Sequence, residues 1–217
     1  MRKENNVSNK ISVYELSEKK EILAGQPGGR LFLSKLIQGI KPSVEPSIIF
    51  LDFSNVKLMT SSFFREAILG FRDYCKNANT NLIPVVVGAN QDTLDEFSVV
   101  LEIKGDVILI CELDNNENPI NARILGVLEE TQAITLEAVL KTRETSAVVL
   151  EERFRESEPI KATGWNNRLT SLASKGILIV FYCFFSYFFS RHSTSATWKL
   201  STPFLIIGFG ARHILCT

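Results

Sequence analysis

Three short apolar runs constrain the fold of this chain more than any other feature of its sequence. They cover residues 47–53, 82–87 and 106–111. Continuous apolar runs of this length, rich in β-branched residues, are typical of strands buried on both faces of a parallel sheet. The segments between the runs carry apolar residues at helical spacing. The order strand, helix, strand, helix, strand predicts an α/β fold with a mostly parallel sheet and right-handed crossovers.

Shorter elements are predicted before the first run. Residues 11–16 alternate between apolar and polar side chains and predict a strand, and residues 21–24 predict another. Residues 25–29 are rich in glycine and predict a turn. A helix is then predicted over residues 31–40. It ends before Lys41-Pro42 because proline cannot continue a helix.

A helix is predicted after each of the first two runs, as the crossover to the next strand. Ser61 is a suitable N-cap for the first helix, and Asp92 opens the second, which Gly105 closes. The predicted inward face of the first helix consists of Phe64, Ala67, Ile68, Phe71 and Cys75. The predicted inward face of the second consists of Leu94, Phe97, Val100, Leu101 and Ile103.

A polar segment at residues 114–119 breaks both the strand and the helix periodicity and is the predicted domain linker. It separates a first domain of residues 11–113 from a second domain of residues 119–179. Beyond the linker the pattern is purely helical. The first helix predicted there holds Ile120, Ile124, Leu125, Val127 and Leu128. The second, or a continuation of the first, holds Leu136, Val139 and Leu140.

Two further helices complete the second domain. Thr145 or Ser146 caps the first of them, and Thr163 caps the last, which Gly176 ends. The predicted inward residues are Val149, Leu150 and Phe154 in the first and Trp165, Leu169 and Leu172 in the last. An apolar run then begins at Ile177.

The loop after the first apolar run carries a recognisable motif. Residues 51–62 join a strand that ends in Asp52 to a helix that begins with paired small hydroxyl residues. Together with the sequence of residues 60–66 and the upstream Gly29-Arg30, this stretch resembles the signature of STAS domains, the sigma-antagonist fold. It is most similar to the STAS-like branch of uncharacterised prokaryotic proteins. The resemblance covers residues 11–113 and implies a mixed sheet with helices.

The resemblance implies a regulatory and partner-binding role for Thr60, Ser61 and Ser62. In anti-sigma-factor antagonists a partner serine kinase phosphorylates the second hydroxyl position, here Ser62, and this switches partner binding off. A helix N-terminus tolerates a phosphate, whereas an added charge of roughly −1.5 to −2 would disrupt an apolar docking surface. The chain departs from the pattern at Thr60, where antagonists have Asp, and at Phe63, where they have Gly. In the alternative interpretation the two serines only cap the helix.

The last predicted helix, in residues 163–176, contains an Arg-Leu-x-x-Leu segment that leads into Lys-Gly-Ile-Leu and a strand. This pattern resembles the final helix of bacterial winged-helix regulators, which read DNA with the exposed face of that helix. The resemblance implies a winged-helix-like or all-α module. Its DNA-binding residues would be Asn166, Asn167, Arg168, Thr170, Ser171 and Lys175. Asparagine can pair with an adenine edge, and the hydroxyl and basic side chains can contact phosphates.

The charge balance limits this interpretation to a local patch. The chain carries 24 basic and 24 acidic residues, so its net charge is zero. Residues 119–179 carry eight of each. Nucleic-acid-binding domains usually leave a basic footprint. The alternative is that the last helix is an ordinary solvated amphipathic helix in a protein-interaction module.

The sequence offers few groups for catalysis or metal binding. No histidine precedes His192, so a His-based nucleophile pair or zinc site would need the end of the chain. Without CxxC or metal-ligand spacing, the cysteines are predicted to be free thiols in a reducing, cytoplasmic compartment. They are Cys75, Cys111, Cys183 and Cys216. Residues 1–10 lack the apolar core of a signal peptide. We therefore expect no catalytic activity, no cofactor and no metal.

Residues 180–217 form an apolar tail without Asp or Glu, although the first 179 residues hold all 24 acidic residues. The apolar run at residues 176–189 is 14 residues long, fewer than the ~20 that span a bilayer as a helix. The tail is a membrane-surface or hairpin anchor, a wing strand with an apolar dimer surface, or the product of a reading-frame change after Ile179. We favour the last, because a winged helix would continue into a polar, basic hairpin.

These features together predict a non-enzymatic transcriptional regulator in which a STAS-like docking domain is coupled to a winged-helix DNA-binding module. The alternative function is a protein-interaction adaptor, an antagonist-type switch without DNA binding. The expected partners are a protein, such as a serine kinase of the anti-sigma type, and DNA. A membrane partner is not expected, and a homodimer is compatible with the apolar tail.

Overall fold

The computed structural model of the protein describes residues 10–44, 46–142, 144–181 and 204–206. The chain divides into two compact units. Among the described residues, one unit comprises residues 10–128 and the other comprises residues 129–206. Most of the apolar tail lies outside the described residues, and so do the three interpretations of it.

The first unit is built on a mixed five-stranded sheet, which confirms the predicted α/β class. The strand order is β1-β3-β5-β6-β7. Strands β1, β3, β5 and β6 run parallel, and β7 is antiparallel to β6. The strand bounds are β1 Lys10–Ser12, β3 Ser47–Asp52, β5 Leu82–Val87, β6 Val107–Leu113 and β7 Pro119–Gly126. A separate parallel pair joins β2 Ile22–Leu23 to β4 Leu58–Met59.

Both faces of the central strands are apolar, as the continuous runs predict. On one face, Leu51, Val86 and Ile108 pack in a core with residues of the helices. On the other face, Val85, Val87, Leu109 and Cys111 form a second buried cluster. Alternate residues of each strand point to opposite faces, so a strand buried on both sides must be apolar at every position.

The described helices of this unit are α1 Val13–Leu16, α2 Gln26–Gly39, α3 Ser61–Phe64, α4 Gly70–Asn77 and α5 Gln91–Lys104. A π-helical turn, Arg65–Leu69, joins α3 to α4 into one continuous helical segment. Phe97 of α5 anchors the helices to each other and to the sheet. Its ring centroid lies 3.8 Å from that of Phe64 in a stacked pair and 5.6 Å from that of Phe53 in an edge contact.

Several local predictions in this unit are wrong. Residues 26–29 do not belong to a turn, because α2 begins at Gln26. Residues 11–16 do not form one strand, because the Ser12 hydroxyl accepts the Glu15 N–H and starts α1. Asp92 does not open α5, because the side chain of Asn90 accepts the Thr93 N–H and is its N-cap. Ile103 is 81% exposed and points away from the core. Gly105 does close α5, in a left-handed conformation, as predicted.

The predicted linker at 114–119 and the helix predicted over residues 120–128 are also wrong. Asp114 accepts the backbone N–H groups of Asn116 and Asn118 and so closes a tight turn. That turn returns the chain as β7, which pairs with β6. The first unit therefore does not end at residue 113, because β7 completes its sheet.

The second unit contains three described helices and a small antiparallel sheet. Its helices are α6 Glu130–Thr142, α7 Ala147–Arg153 and α8 Ala162–Ser174. Its strands are β8 Glu144–Thr145, β9 Ile179–Phe181 and β10 Phe204–Ile206, in the order β8-β10-β9. Both pairings are antiparallel. Along the chain, α7 and α8 lie between β8 and the β9-β10 pair, and β10 pairs with β8.

The helices of this unit follow the predicted pattern with two corrections. Ser146 caps α7 as predicted, because its hydroxyl accepts the Val149 N–H. Val149 itself is 40% exposed and does not point inward. Thr163 does not cap α8, because the N-cap position is Lys161. Lys161 makes no side-chain capping bond, and the carboxylate of Glu151 accepts the Ala162 N–H at 2.7 Å instead.

Candidate functional site

The turn that carries Thr60, Ser61 and Ser62 is held in place from both sides. Upstream, the Asp52 carboxylate at the end of β3 accepts the Ser54 N–H at 2.9 Å and fixes the start of the loop. Downstream, the Thr60 N–H donates to the Leu23 carbonyl at 2.9 Å. The turn is thus tied to the five-stranded sheet through β3 and to the separate β2-β4 pair through Leu23.

A close helix crossing fixes the direction in which the chain leaves the turn. Gly29 of α2 lies against α3, where a Cβ atom would come within 2.9 Å of the Phe63 carbonyl oxygen and of the Glu66 Cβ. Any larger residue at position 29 would therefore force α2 and α3 apart. Gly29 therefore has a packing role here.

The three hydroxyl residues of the turn are half-buried, so they lie neither in the core nor fully in solvent. The Thr60 and Ser62 hydroxyl oxygens are 3.3 Å apart, within hydrogen-bonding distance. Ser61 is not the N-cap as predicted, because Thr60 occupies that position and Ser61 is the first helical residue. The Thr60 side chain makes no capping bond.

The N-terminus of α3 already has a carboxylate partner. Glu96 of α5 accepts the Ser61 N–H at 2.7 Å. A negative charge is favourable at this position because free N–H groups and the helix dipole attract anions. A phosphate on Ser62 would bring a second anion next to the same helix start, where it would repel Glu96.

Helix α8 is the second candidate site, and it has two distinct faces. Trp165, Leu169 and Leu172 are buried, as predicted. Asn166, Asn167 and Thr170 are exposed, also as predicted. The helix therefore presents uncharged amide and hydroxyl groups to solvent.

The other three predicted DNA-binding residues are only partly available. The Arg168 guanidinium pairs with the Glu158 carboxylate at 3.3 Å and lies 5.7 Å from the Trp165 ring centroid. The Ser171 hydroxyl accepts a hydrogen bond of 2.9 Å from the Gln132 side chain. Lys175 follows the helix as its C-cap and is half-buried.

The side chains that hold these two sites in place were not predictable from the sequence. Glu96, Glu151, Glu158 and Gln132 each contact a residue between 10 and 39 positions away along the chain. Glutamate and glutamine on an amphipathic helix are ordinary solvated residues by pattern alone. No short motif marks them.

The described cysteines are poor nucleophiles. Cys75 and Cys111 are buried free thiols. Burial raises the pKa of each thiol to about 11, so both stay protonated near neutral pH. Cys183 and Cys216 lie outside the described residues.

The described part of the chain holds neither a metal-ligand cluster nor a membrane-spanning helix. No three His, Cys, Asp or Glu side chains there are grouped so that they could hold a metal ion. No helix there is both long and apolar enough to span a membrane.

Comparison with known proteins also gives no match. Neither a family model nor a curated protein nor a solved structure matches this chain. The two candidate sites therefore depend on their own geometry.

Proposed function

We propose that this chain is a non-enzymatic transcriptional regulator of the cytoplasm, with a partner-docking first unit and a DNA-binding second unit. The observation that carries this proposal is the exposed polar face of α8, opposite the buried Trp165, Leu169 and Leu172. A helix of this kind can enter the major groove while its apolar face remains in the core.

The arrangement around α8 supports a winged-helix-like module. A short helix, α7, precedes α8 across a turn, and two antiparallel strands follow it. One of those strands pairs back to β8, which comes just before α7. A helix-turn-helix closed by a small sheet in this way presents its second helix outward.

The chain just before α8 carries exposed cations, which we propose as the phosphate contacts. Arg153 ends α7, Arg155 lies in the turn that follows, and Lys161 is the N-cap of α8. All three are exposed. Contacts from such residues to the DNA backbone set orientation and add affinity without sequence preference.

We expect the full chain to bind a labelled random-sequence duplex with a salt-dependent affinity. Three phosphate contacts give a slope of log K against log salt of about −2 to −3. Arg155→Ala and Lys161→Ala should each reduce that slope by about 1. Fluorescence anisotropy over a salt series measures both effects.

Lys104→Ala is the matched control for this titration, because Lys104 is an exposed lysine at the end of α5 in the first unit. Its slope should equal that of the wild type. Absence of binding at low salt, or a slope that neither unit-two variant changes, would contradict the DNA-binding proposal.

The half-buried turn at Thr60–Ser62 favours a second candidate function, a protein-interaction adaptor. The hydroxyls of Thr60 and Ser62 remain partly accessible, and the adjacent helix start is already occupied by Glu96. A phosphate on Ser62 would compete with that carboxylate and change the local surface. This chemistry suits a switch that a serine kinase of the anti-sigma type operates.

We expect such a kinase to add one phosphate to Ser62. Mass spectrometry should detect the modification in the wild type and in Ser61→Ala, but not in Ser62→Ala. Ser62→Asp should bind the kinase at least about tenfold more weakly than Ser62→Ala, because it places a charge beside Glu96. Equal affinities of the two Ser62 variants would rule out the switch.

A further inference from the structure

The outward face of α8 is free of charged side chains. At 100° per residue, the positions opposite Trp165, Leu169 and Leu172 are Thr163, Asn167, Thr170 and Ser174. All four are exposed. Asn166 lies on one flank of this face, so the two asparagines are neighbouring amides on the exposed side.

Arg168 is the only charged residue within α8, and it is held on the opposite flank. Its guanidinium contacts Glu158, which precedes the helix, and the face of the Trp165 ring. Its side chain is only 22% exposed. Both interactions hold the guanidinium beside Glu158 and the buried Trp165 ring, and so away from the outward face of α8.

The hydroxyl of Thr170 is also engaged. It donates to the Asn166 carbonyl at 2.8 Å, so it offers only its lone pairs to a ligand. Asparagine is the residue on this face whose planar side-chain amide offers a donor and an acceptor side by side. That pair matches the N6 donor and the N7 acceptor of adenine, whereas arginine and lysine match guanine.

We infer that α8 reads adenine in the major groove through Asn167, with Asn166 beside it, while Glu158 withholds Arg168 from guanine. This inference rests on the proposed DNA-binding function. Asn167 is the sixth residue of the helix, and the N-terminal residues of a recognition helix are those that reach base edges.

The test is selection of binding sites from a random duplex library with the full chain. The wild type should enrich a fixed adenine and prefer it to guanine by about 5- to 150-fold. Asn167→Ala should lose this preference and keep its salt slope. Replacing the selected base by 7-deazaadenine, which lacks the N7 acceptor, should weaken the wild type and leave Asn167→Ala unaffected.

Asn115→Ala is the matched control, because Asn115 is an exposed asparagine in the β6–β7 turn. It should select the same sites as the wild type. Glu158→Ala should release Arg168 and add a guanine preference. An unchanged preference in that variant, or a wild-type guanine preference that Arg168→Ala removes, would overturn the inference while leaving DNA binding intact. Failure to bind any duplex would defeat the proposed function itself.

Discussion

Replacing Arg72 with methionine should lower the free energy of unfolding by about 3–5 kcal/mol, the cost of breaking a buried ion pair from one side. The Arg72 guanidinium donates two parallel hydrogen bonds to Asp106, at 3.0 and 2.8 Å, and a third to the Val107 carbonyl at 2.9 Å. A further contact to Asp73 measures 2.9 Å. Methionine would deprive the largely buried Asp106 carboxylate, just before β6, of its guanidinium partner.

The charge on Arg72 is stable in this environment. Burial disfavours the charged guanidinium, yet the hydrogen bonds and negative charge of Asp106, with those of Asp73, raise the pKa of Arg72 above its usual range. The guanidinium therefore stays ionised near neutral pH, where it can hold the paired geometry with Asp106.

Urea denaturation followed by far-ultraviolet circular dichroism measures the loss. Arg30→Met is the matched control, because Arg30 pairs with Glu66 on the surface and its side chain is 65% exposed. That variant should cost less than about 1 kcal/mol. Arg72→Lys should fall between the two, since it keeps the charge and loses the paired geometry. Equal losses of unfolding free energy for Arg72→Met and Arg30→Met would show that the buried ion pair contributes no more to stability than the surface pair.

Replacing Trp165 with alanine should destabilise the second unit by about 3–5 kcal/mol. The side chain is fully buried, and its ring centroid lies 6.0 Å from that of Phe154 in the turn after α7. The ring also supports the Arg168 guanidinium. Removing it would leave a cavity under α8 and free the helix from its fixed orientation, so the proposed DNA binding should fall with stability.

Thermal denaturation and anisotropy with the duplex probe measure the two effects of this change. Trp165→Phe should cost less, because phenylalanine keeps most of the apolar area. It also removes an indole N–H for which the described structure shows no hydrogen-bond partner. Val149→Ala is the control in the same unit, and its cost should be about 0.5 kcal/mol or less. A Trp165→Ala variant as stable as Val149→Ala would mean that α8 does not depend on this contact.

The largest error in predicting the fold from sequence concerned β7. Its apolar residues, among them Ile120, Ile124 and Leu125, happen to fall at helical spacing. In the structure, Ile124 packs on one face of the sheet and Leu125 on the other. Local spacing could not reveal this, because an edge strand that contacts apolar residues on both faces loses the simple alternation of a strand.

The sequence by itself determined the central strands and the inward faces of most helices. A buried strand must be apolar throughout, and a packed helix must be apolar every third or fourth residue, so these elements are visible in short windows of sequence. It also placed Asn166, Asn167 and Thr170 on the exposed face of α8.

Only the tertiary structure decided which polar groups are already engaged. Arg168 is drawn to Glu158, Ser171 to Gln132, and the helix start at Ser61 to Glu96. Each of these contacts joins residues that are distant in the chain and depends on how the helices pack. Hydrogen bonds of this kind are set by position in space, so the spacing of residue types along the chain carries no record of them.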